Sequence, residues 1–183
     1  KKRNFFYDST LMIVDNYVGK ILKILDKNTL IFITSDHGHR KSLKKQILRD
    51  YIDKDHFNEM HGEDIEVPLI SNEIFYNNEN KNELIDSRSV TKIIISKLGI
   101  DLSKYCENIN YLNKYVVSEH AGRGSFNLSK DMYFTISSSQ YRMILVIIKN
   151  EIFIKFYDVI KDPNETIDLS KNENYSIQIK QFF

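Results

Sequence analysis

The sequence is poor in several residue types, and their scarcity excludes whole classes of protein. It has a single cysteine, Cys106, among 183 residues, so the chain cannot form an internal disulfide and is not a disulfide-stabilised scaffold. The 26 basic and 25 acidic side chains leave a net charge of +1, so no overall charge attracts nucleic acid or anionic lipid. No apolar run approaches the roughly 20 residues that span a bilayer, which predicts a chain without a membrane segment.

The first residues do not show the pattern of a signal peptide, and we expect any targeting signal to lie outside this chain. Lys1, Lys2 and Arg3 are basic, but the long apolar stretch of a signal peptide does not follow them. The chain also opens without Met and almost directly in a helical pattern, so we expect the natural protein to begin upstream. Its cellular location is left open.

The apolar residues that are present follow an α/β pattern. Hydrophobic residues make up 42% of the chain, which is typical of a globular protein. Apolar residues recur at three- and four-residue steps from Asp8 to Asp26, which predicts an amphipathic helix. Thr29 to Thr34 is a short, apolar and β-branched run, typical of a central strand covered on both faces. A helix followed by a buried strand indicates a layered α/β sheet.

Further elements follow along the chain. Val67 to Ser71 is a second short strand, and Pro68 favours a strand start or a sheet edge. Ser89 to Leu98 is predicted to be helical, with Gly99 as its C-cap. The remaining predictions are a buried strand, an antiparallel meander of three strands, and a final helix: Tyr115–Ser118, Met132–Ile136, Tyr141–Ile148, Ile152–Tyr157 and Tyr175–Phe182.

Asp36 and His37 stand immediately beyond the carboxyl end of the first strand, where open α/β sheets bind ligands. A carboxylate with an imidazole suits Zn²⁺, Mn²⁺ or a similar cation, and a carboxylate alone suits Ca²⁺. Neighbouring residues reach one metal ion only if the chain leaves strand geometry, for which Gly38 provides backbone freedom. The alternative is a strand-end Asp that starts a turn beside an exposed His.

A long polar segment from His39 to Glu66 follows this pair, and loops of this length in compact domains are often functional. Four of the five histidines lie at positions 37, 39, 56 and 61, in or next to this segment. His61 is followed by Gly62 and then by the second strand. Taken alone, His61 would be a surface histidine, but its place in a loop that leaves one strand end and returns to a new strand makes it a candidate functional residue.

Five segments in a fixed order resemble the C-terminal half of a sulfatase-family member of the alkaline phosphatase superfamily. The resemblance covers nearly the whole chain. Its segments are Val14–Leu22, Thr29–Gly38, His61–Ile70, Lys97–Ile100 and Phe156–Thr166.

The resemblance implies a fold and a division of the chain. Residues 1–125 would be part of an alkaline-phosphatase-like three-layer α/β sandwich with a mixed central sheet. Residues 126–183 would form a small antiparallel sheet with a terminal helix. Asp36 and His37 would ligate a divalent metal (Ca²⁺, Zn²⁺ or Mn²⁺), and His61 matches the position that serves a second metal in two-metal relatives. The covalent nucleophile would lie in the N-terminal half of the fold, so this chain by itself is expected to be inactive.

Several cationic side chains are candidates for binding an anionic substrate. Arg40 follows the metal pair, although it is about as well explained by pairing with a carboxylate of the loop. Lys44, or Lys45 beside it, takes the approximate place of a sulfate-binding lysine in one-metal relatives. His120 and Arg123 follow the strand near Tyr115, which we expect to run parallel in the main sheet and to end at the same edge as the metal pair. The alternative for these two is a Gly-rich bend between the two sheets.

The resemblance implies a metal-dependent hydrolase of a sulfate ester. The enzymatic alternative is a phosphotransferase or phosphatase of the same superfamily that acts on a surface glycan or lipid. The non-enzymatic alternative is an inactive structural or binding half-domain. The expected partners are a small-molecule or glycan ester and the N-terminal half of the same fold, and not nucleic acid.

Overall fold

A computed structural model of the protein describes residues 2–38, 60–73, 84–101, 113–121, 132–148 and 150–183. Helix α1 (Lys2–Ile24) opens the chain, as the periodicity predicts. The side chains of Leu11, Val14 and Ile21, expected to face the sheet, are about half exposed. Among the described helices, none combines the length and the apolar character needed to cross a bilayer.

The first two strands form a short antiparallel ladder in which Ile33 lies opposite Ile70. The side-chain amide of Asn72 extends it by donating to the carbonyl of Thr29 and accepting from the N–H of Ile31. At Thr29 and Ile31 this side chain replaces the backbone partners of a neighbouring strand, so the strand is shorter than the apolar run Thr29 to Thr34. The strand is only partly buried, and not covered on both faces as predicted. The elements are β1 (Phe32–Thr34), α2 (Gly62–Ile65) and β2 (Leu69–Ser71).

Helix α3 (Ser87–Lys97) is set by its two ends. Asp86 caps the start, because its Oδ1 accepts from the backbone N–H of Ser89 at 2.7 Å and from the Ser89 hydroxyl at 2.8 Å. Burial raises the pKa of this carboxyl, but hydrogen bonds from Arg88 and Ser89 outweigh it and lower the pKa. Gly99 ends the helix with a φ of +71°, the left-handed conformation in which glycine costs least.

A four-stranded antiparallel meander forms the second sheet, in the order β3-β4-β5-β6. Its last three strands match the predicted meander closely. The first strand, near Tyr115, was expected to run parallel in the main sheet, and this expectation is wrong because the strand pairs antiparallel with the one that follows it. The strands are β3 (Val116–Ala121), β4 (Met132–Ser137), β5 (Tyr141–Ile148) and β6 (Glu151–Asp158).

Both faces of this sheet are covered at its centre. Alternation along β5 and β6 places Ile144 and Tyr157 on one face, where they are buried. Met143 and Phe156 are buried on the other face, against Phe182 at the end of the chain. The sheet therefore separates two small cores, and only the second is closed by the terminal helix.

The C-terminal segment folds back onto β6 through the turn at Asp162. Its carboxylate accepts from the backbone N–H groups of Thr166 at 2.6 Å and Ile167 at 2.7 Å. The N–H of Leu169 then donates to the carbonyl of Phe156. A short 3₁₀ turn leads into the terminal helix α4 (Ser176–Lys180), as predicted. The α/β class with an antiparallel sheet and a terminal helix is confirmed, whereas the domain boundary after residue 125 lies outside the described residues and stays a prediction.

Candidate metal-binding site

Asp36 and His37 lie directly after β1, where the chain has left the strand. Their side chains converge, with His37 Nε2 3.8 Å from Asp36 Oδ2. They are 87% and 72% exposed, respectively. Because the chain has left strand geometry, the side chains of two adjacent residues can point to the same place, as they must if both are to bind one metal ion.

The imidazole of His37 is oriented by its own backbone neighbourhood. Its Nδ1–H donates to the carbonyl of Gly38 at 2.6 Å. This hydrogen bond and the charge of Asp36 raise the pKa of His37. When the ring is neutral, Nε2 is therefore the nitrogen that carries the lone pair. A backbone carbonyl that fixes the tautomer in this way is a common partner of metal-ligating histidines.

Gly38 is required for close packing rather than for backbone freedom. Its N–H donates to the carbonyl of Asp64 in α2 at 2.8 Å. A Cβ at this position would overlap the carbonyl group of Glu63. Backbone freedom was the reason predicted for this glycine, because nothing local in the sequence shows that α2 lies against it.

His61, the third predicted ligand, is fully buried at the start of α2. Its Nδ1 lies 2.5 Å from Oε2 of Glu165, and its ring centroid lies 5.7 Å from that of Tyr157. The peptide before it is also held, since the carbonyl of Met60 accepts from the buried hydroxyl of Thr135 at 2.7 Å. The alternative of a surface histidine is excluded, and the role of His61 as a metal ligand stays a prediction.

Glu165 joins this histidine to the four-stranded sheet. Its Oε1 accepts from the N–H of Gly62 at 3.0 Å and from Arg142, which is also buried. Burial alone would raise the pKa of Glu165, but the hydrogen bond from His61 and the charge of Arg142 lower it to about 2. The carboxylate therefore stays ionised inside the protein.

Arg142 completes the group, which we name the buried ion cluster: His61, Arg142, Glu165 and, at its solvent edge, Glu66. The guanidinium of Arg142 donates to both carboxylates and, through Nε, to the hydroxyl of Ser137 at 3.1 Å. Its side chain is 4% exposed, so its charge depends on these partners.

Sequence reasoning missed this cluster except for His61. Glu165 directly follows the turn signal Asp162-Pro163-Asn164, which accounts for the residue locally and points to no distant partner. Arg142 did leave a signal, since it is the one charged residue in the apolar run Tyr141–Ile148. A charge in a buried strand requires a partner. The sequence offered no means of choosing that partner at a distance.

Of the four predicted substrate-binding residues, His120 is the one that lies within the described residues. His120 lies on the exposed part of β3, with its ring centroid 6.1 Å from that of Tyr133. Because β3 pairs antiparallel with β4, the expectation that this strand runs parallel in the main sheet is wrong, and the substrate-binding role of His120 stays a prediction. Arg40, Lys44 and Arg123 lie outside the described residues, and their roles stay predictions.

The donor set at Asp36 and His37 fits a divalent cation. Two ligand bonds of roughly 2.0–2.2 Å can bridge at most ~4.4 Å, and the two donor atoms are 3.8 Å apart. An ionised carboxylate with an imidazole nitrogen suits Zn²⁺ or Mn²⁺. Within the described ranges, no three side chains of the ligating types are grouped closely enough to hold an ion. Two donors do not complete the coordination shell of such a cation, so an ion at this pair would need further ligands.

The fold of the chain resembles several solved structures. A protein solved in complex with its substrate D-glucosamine-2-N,6-O-disulfate superposes with a TM-score of 0.63 over 94% of this chain at 18% identity. A sulfatase candidate from Bacteroides thetaiotaomicron VPI-5482 and a 2-O GAG sulfatase give TM-scores of 0.57 and 0.55, each over 85% of the chain, at 18% and 19% identity. The chain spans 37% of the length of the first structure and 34% of the other two.

At these identities the structural matches establish the fold alone. No curated protein shows significant sequence similarity to the chain. Residues 7–141, well over half of the chain, match the family of type I phosphodiesterases and nucleotide pyrophosphatases. The chain therefore belongs to the type I phosphodiesterase / nucleotide pyrophosphatase family, within the alkaline phosphatase superfamily that the sequence predicted.

Proposed function

We propose that this chain supplies part of the metal shell of an enzyme that hydrolyses a sulfate or phosphate ester. The observation that carries the proposal is the pair Asp36 and His37, exposed side by side beyond the end of β1 with their donor atoms 3.8 Å apart. Family membership supports a reaction at a tetrahedral, anionic ester.

The two side chains have distinct tasks in this proposal. Asp36 offers a formal negative charge, and His37 offers Nε2 with its tautomer fixed by the Gly38 carbonyl. A divalent cation held there would supply charge neutralisation for the nucleophile and for the group that is transferred. The exposure of both side chains leaves room for a substrate to approach from solvent.

A sulfate ester on a glycan is our first candidate for the substrate. It is supported by the fold, because a solved neighbour holds a sulfated glucosamine as its substrate and another is a 2-O GAG sulfatase. A phosphodiester is the second candidate, supported by the family match over residues 7–141. The two esters share the anionic oxygens and differ in the central atom and in the number of ester bonds.

We further propose that the nucleophile and the remaining ligands come from a part of the fold outside this chain. The matched structures are more than twice as long as the chain. The half-exposed stripe Leu11, Val14 and Ile21 on α1 is an apolar surface that such a part would cover.

The experiment uses the natural full-length protein, with wild type, Asp36→Ala and His37→Ala compared for Mn²⁺ and Zn²⁺ binding by calorimetry. Glu173→Ala, which removes an exposed carboxylate from the C-terminal segment, is the matched control. Turnover is then measured on D-glucosamine-2-N,6-O-disulfate, 4-nitrophenyl sulfate and bis(4-nitrophenyl) phosphate. We expect both site variants to weaken metal binding at least tenfold and to lose turnover, and the control to match wild type.

The outcome separates the alternatives. Preference for the sulfate esters supports a sulfatase, and preference for the bis-ester supports a phosphodiesterase. If wild type binds no divalent cation, or binds it equally well without the Asp36 carboxylate, the catalytic proposal fails and an inactive structural or binding module is the better description.

A further inference from the structure

Glu165 concentrates three hydrogen-bond donors from two distant parts of the chain. His61 Nδ1 lies 2.5 Å from Oε2, and the N–H of Gly62 lies 3.0 Å from Oε1. Arg142, near the start of β5, donates to the same Oε1. The side chain of Glu165 is 3% exposed, so both oxygens depend on protein partners. The start of α2 is thereby fixed to the face of the four-stranded sheet.

Helix α2 in turn packs against Gly38, the residue that follows Asp36 and His37. The carbonyl of Asp64 accepts from the N–H of Gly38 at 2.8 Å, and the absence of a Cβ on Gly38 allows contact with the backbone of Glu63. Gly38 also accepts from the imidazole of His37. A displacement of α2 would therefore shift Gly38, and with it the carbonyl that orients the His37 ring.

From these contacts we infer that Glu165 is a positioning residue for Asp36 and His37, acting through Gly62, α2 and Gly38. It touches neither Asp36 nor His37, although it contacts His61 directly. Its effect is to hold α2 in the position in which the Gly38 carbonyl accepts a hydrogen bond from His37 Nδ1. The inference rests on the proposed function, because it concerns the geometry of the same ligand pair. The competing explanation is that Glu165 only stabilises the contact between α2 and the sheet.

Metal affinity distinguishes the two explanations, since a merely structural residue would lower Tm and leave the affinity of the folded protein unchanged. The experiment titrates the metal-free full-length protein with Mn²⁺, at a temperature at which every variant is folded by circular dichroism. The variants are Glu165→Gln, which removes the charge but keeps the shape, and Glu173→Gln, which removes an exposed carboxylate of the same subdomain. The readouts are Kd and the electron paramagnetic resonance spectrum of the bound Mn²⁺.

Loss of an outer partner of a metal site typically costs about 10–100-fold in affinity. We expect E165Q to raise the Kd for Mn²⁺ by about tenfold and to broaden the spectrum, with E173Q within twofold of wild type. A folded E165Q protein with Kd and spectrum unchanged would overturn the inference and leave the proposed function intact. If E165Q does not fold, Glu165→Asp, which keeps the charge but shortens the reach, is held to the same criterion.

Failure of the proposed function gives a different pattern. In that case wild type itself binds no Mn²⁺, or Asp36→Ala binds it as tightly as wild type does. That result overturns both proposals together, whereas loss of affinity in D36A without any change in E165Q overturns only the positioning role.

Discussion

Replacing Glu165 with Gln is expected to lower the free energy of unfolding by about 3 kcal/mol at pH 6. The pKa of Glu165 is lowered from 4.5 to about 2, chiefly because the hydrogen bond from His61 and the charge of Arg142 outweigh the cost of burial. At roughly 1.4 kcal/mol for each pH unit, this difference corresponds to about 3 kcal/mol of stability. The side chain is 3% exposed, so solvent screens it little.

The same pKa values fix the pH range in which the effect disappears. A carboxylate whose folded-state pKa lies below its unfolded-state pKa stabilises the protein at every pH above the unfolded value. The contribution of Glu165 is therefore complete above about pH 5 and is lost as the pH falls from about 4.5 to about 2. Over this range the stability of wild type should approach that of E165Q, which has no carboxylate to protonate.

The measurement is urea unfolding of both proteins from pH 6 to pH 2.5, in EDTA so that metal binding does not contribute. The chain contains no tryptophan, so circular dichroism in the far ultraviolet is the probe. The difference between the proteins is compared at each pH, because other carboxylates titrate equally in both. Glu173→Gln is the control and should show no such difference. A difference between wild type and E165Q that stays constant down to pH 2.5 would refute the ionised state of Glu165 and the electrostatic explanation built on it.

Two further substitutions test the local structure. Gly38→Ala should destabilise the protein by about 1–3 kcal/mol, since the added Cβ overlaps the carbonyl of Glu63. The matched change is Gly19→Ala in α1, where an added Cβ would have no neighbouring atom within 4 Å, and it should stabilise the protein by about 0.5–1 kcal/mol. Equal shifts of Tm for the two variants would contradict the close approach at Gly38. Asp86→Ala should cost about 1 kcal/mol through loss of the cap on α3, whereas Asp86→Ser should retain most of it, and an unchanged Tm for D86A would show that the cap contributes nothing.

Local patterns in the sequence were sufficient for most of the secondary structure. The helical periodicity before β1, the Gly99 cap and the three alternating strands of the meander each reflect interactions between near neighbours, and each is present in the structure. The partner of β3 could not be found in this way. Its apolar run suits either sheet, and only pairing with β4, a contact between separate segments, decides between them.

The candidate site divides along the same line. Asp36 and His37 could be proposed as a ligand pair because the strand end and the neighbouring carboxylate and imidazole are visible within a few residues. Glu165 was not, because its partner His61 lies 104 residues away and its own neighbours already explain it as part of a turn. Arg142 shows the limit most clearly, since the sequence reveals that it needs a counter-charge but not where that charge is.

The separation between His61 and Glu165 also has a consequence for how the protein is made. At about 5–20 residues per second, the ribosome needs roughly 5–20 s to add the 104 residues that follow His61 up to and including Glu165. Throughout that time His61 and Gly62 lack the carboxylate that binds them in the folded chain. The start of α2, next to Asp36 and His37, is thus expected to be one of the last parts to reach its final structure. We expect nascent chains that stop short of Glu165 to be cleaved by proteases at α2, and chains that extend past the terminal helix to resist cleavage there.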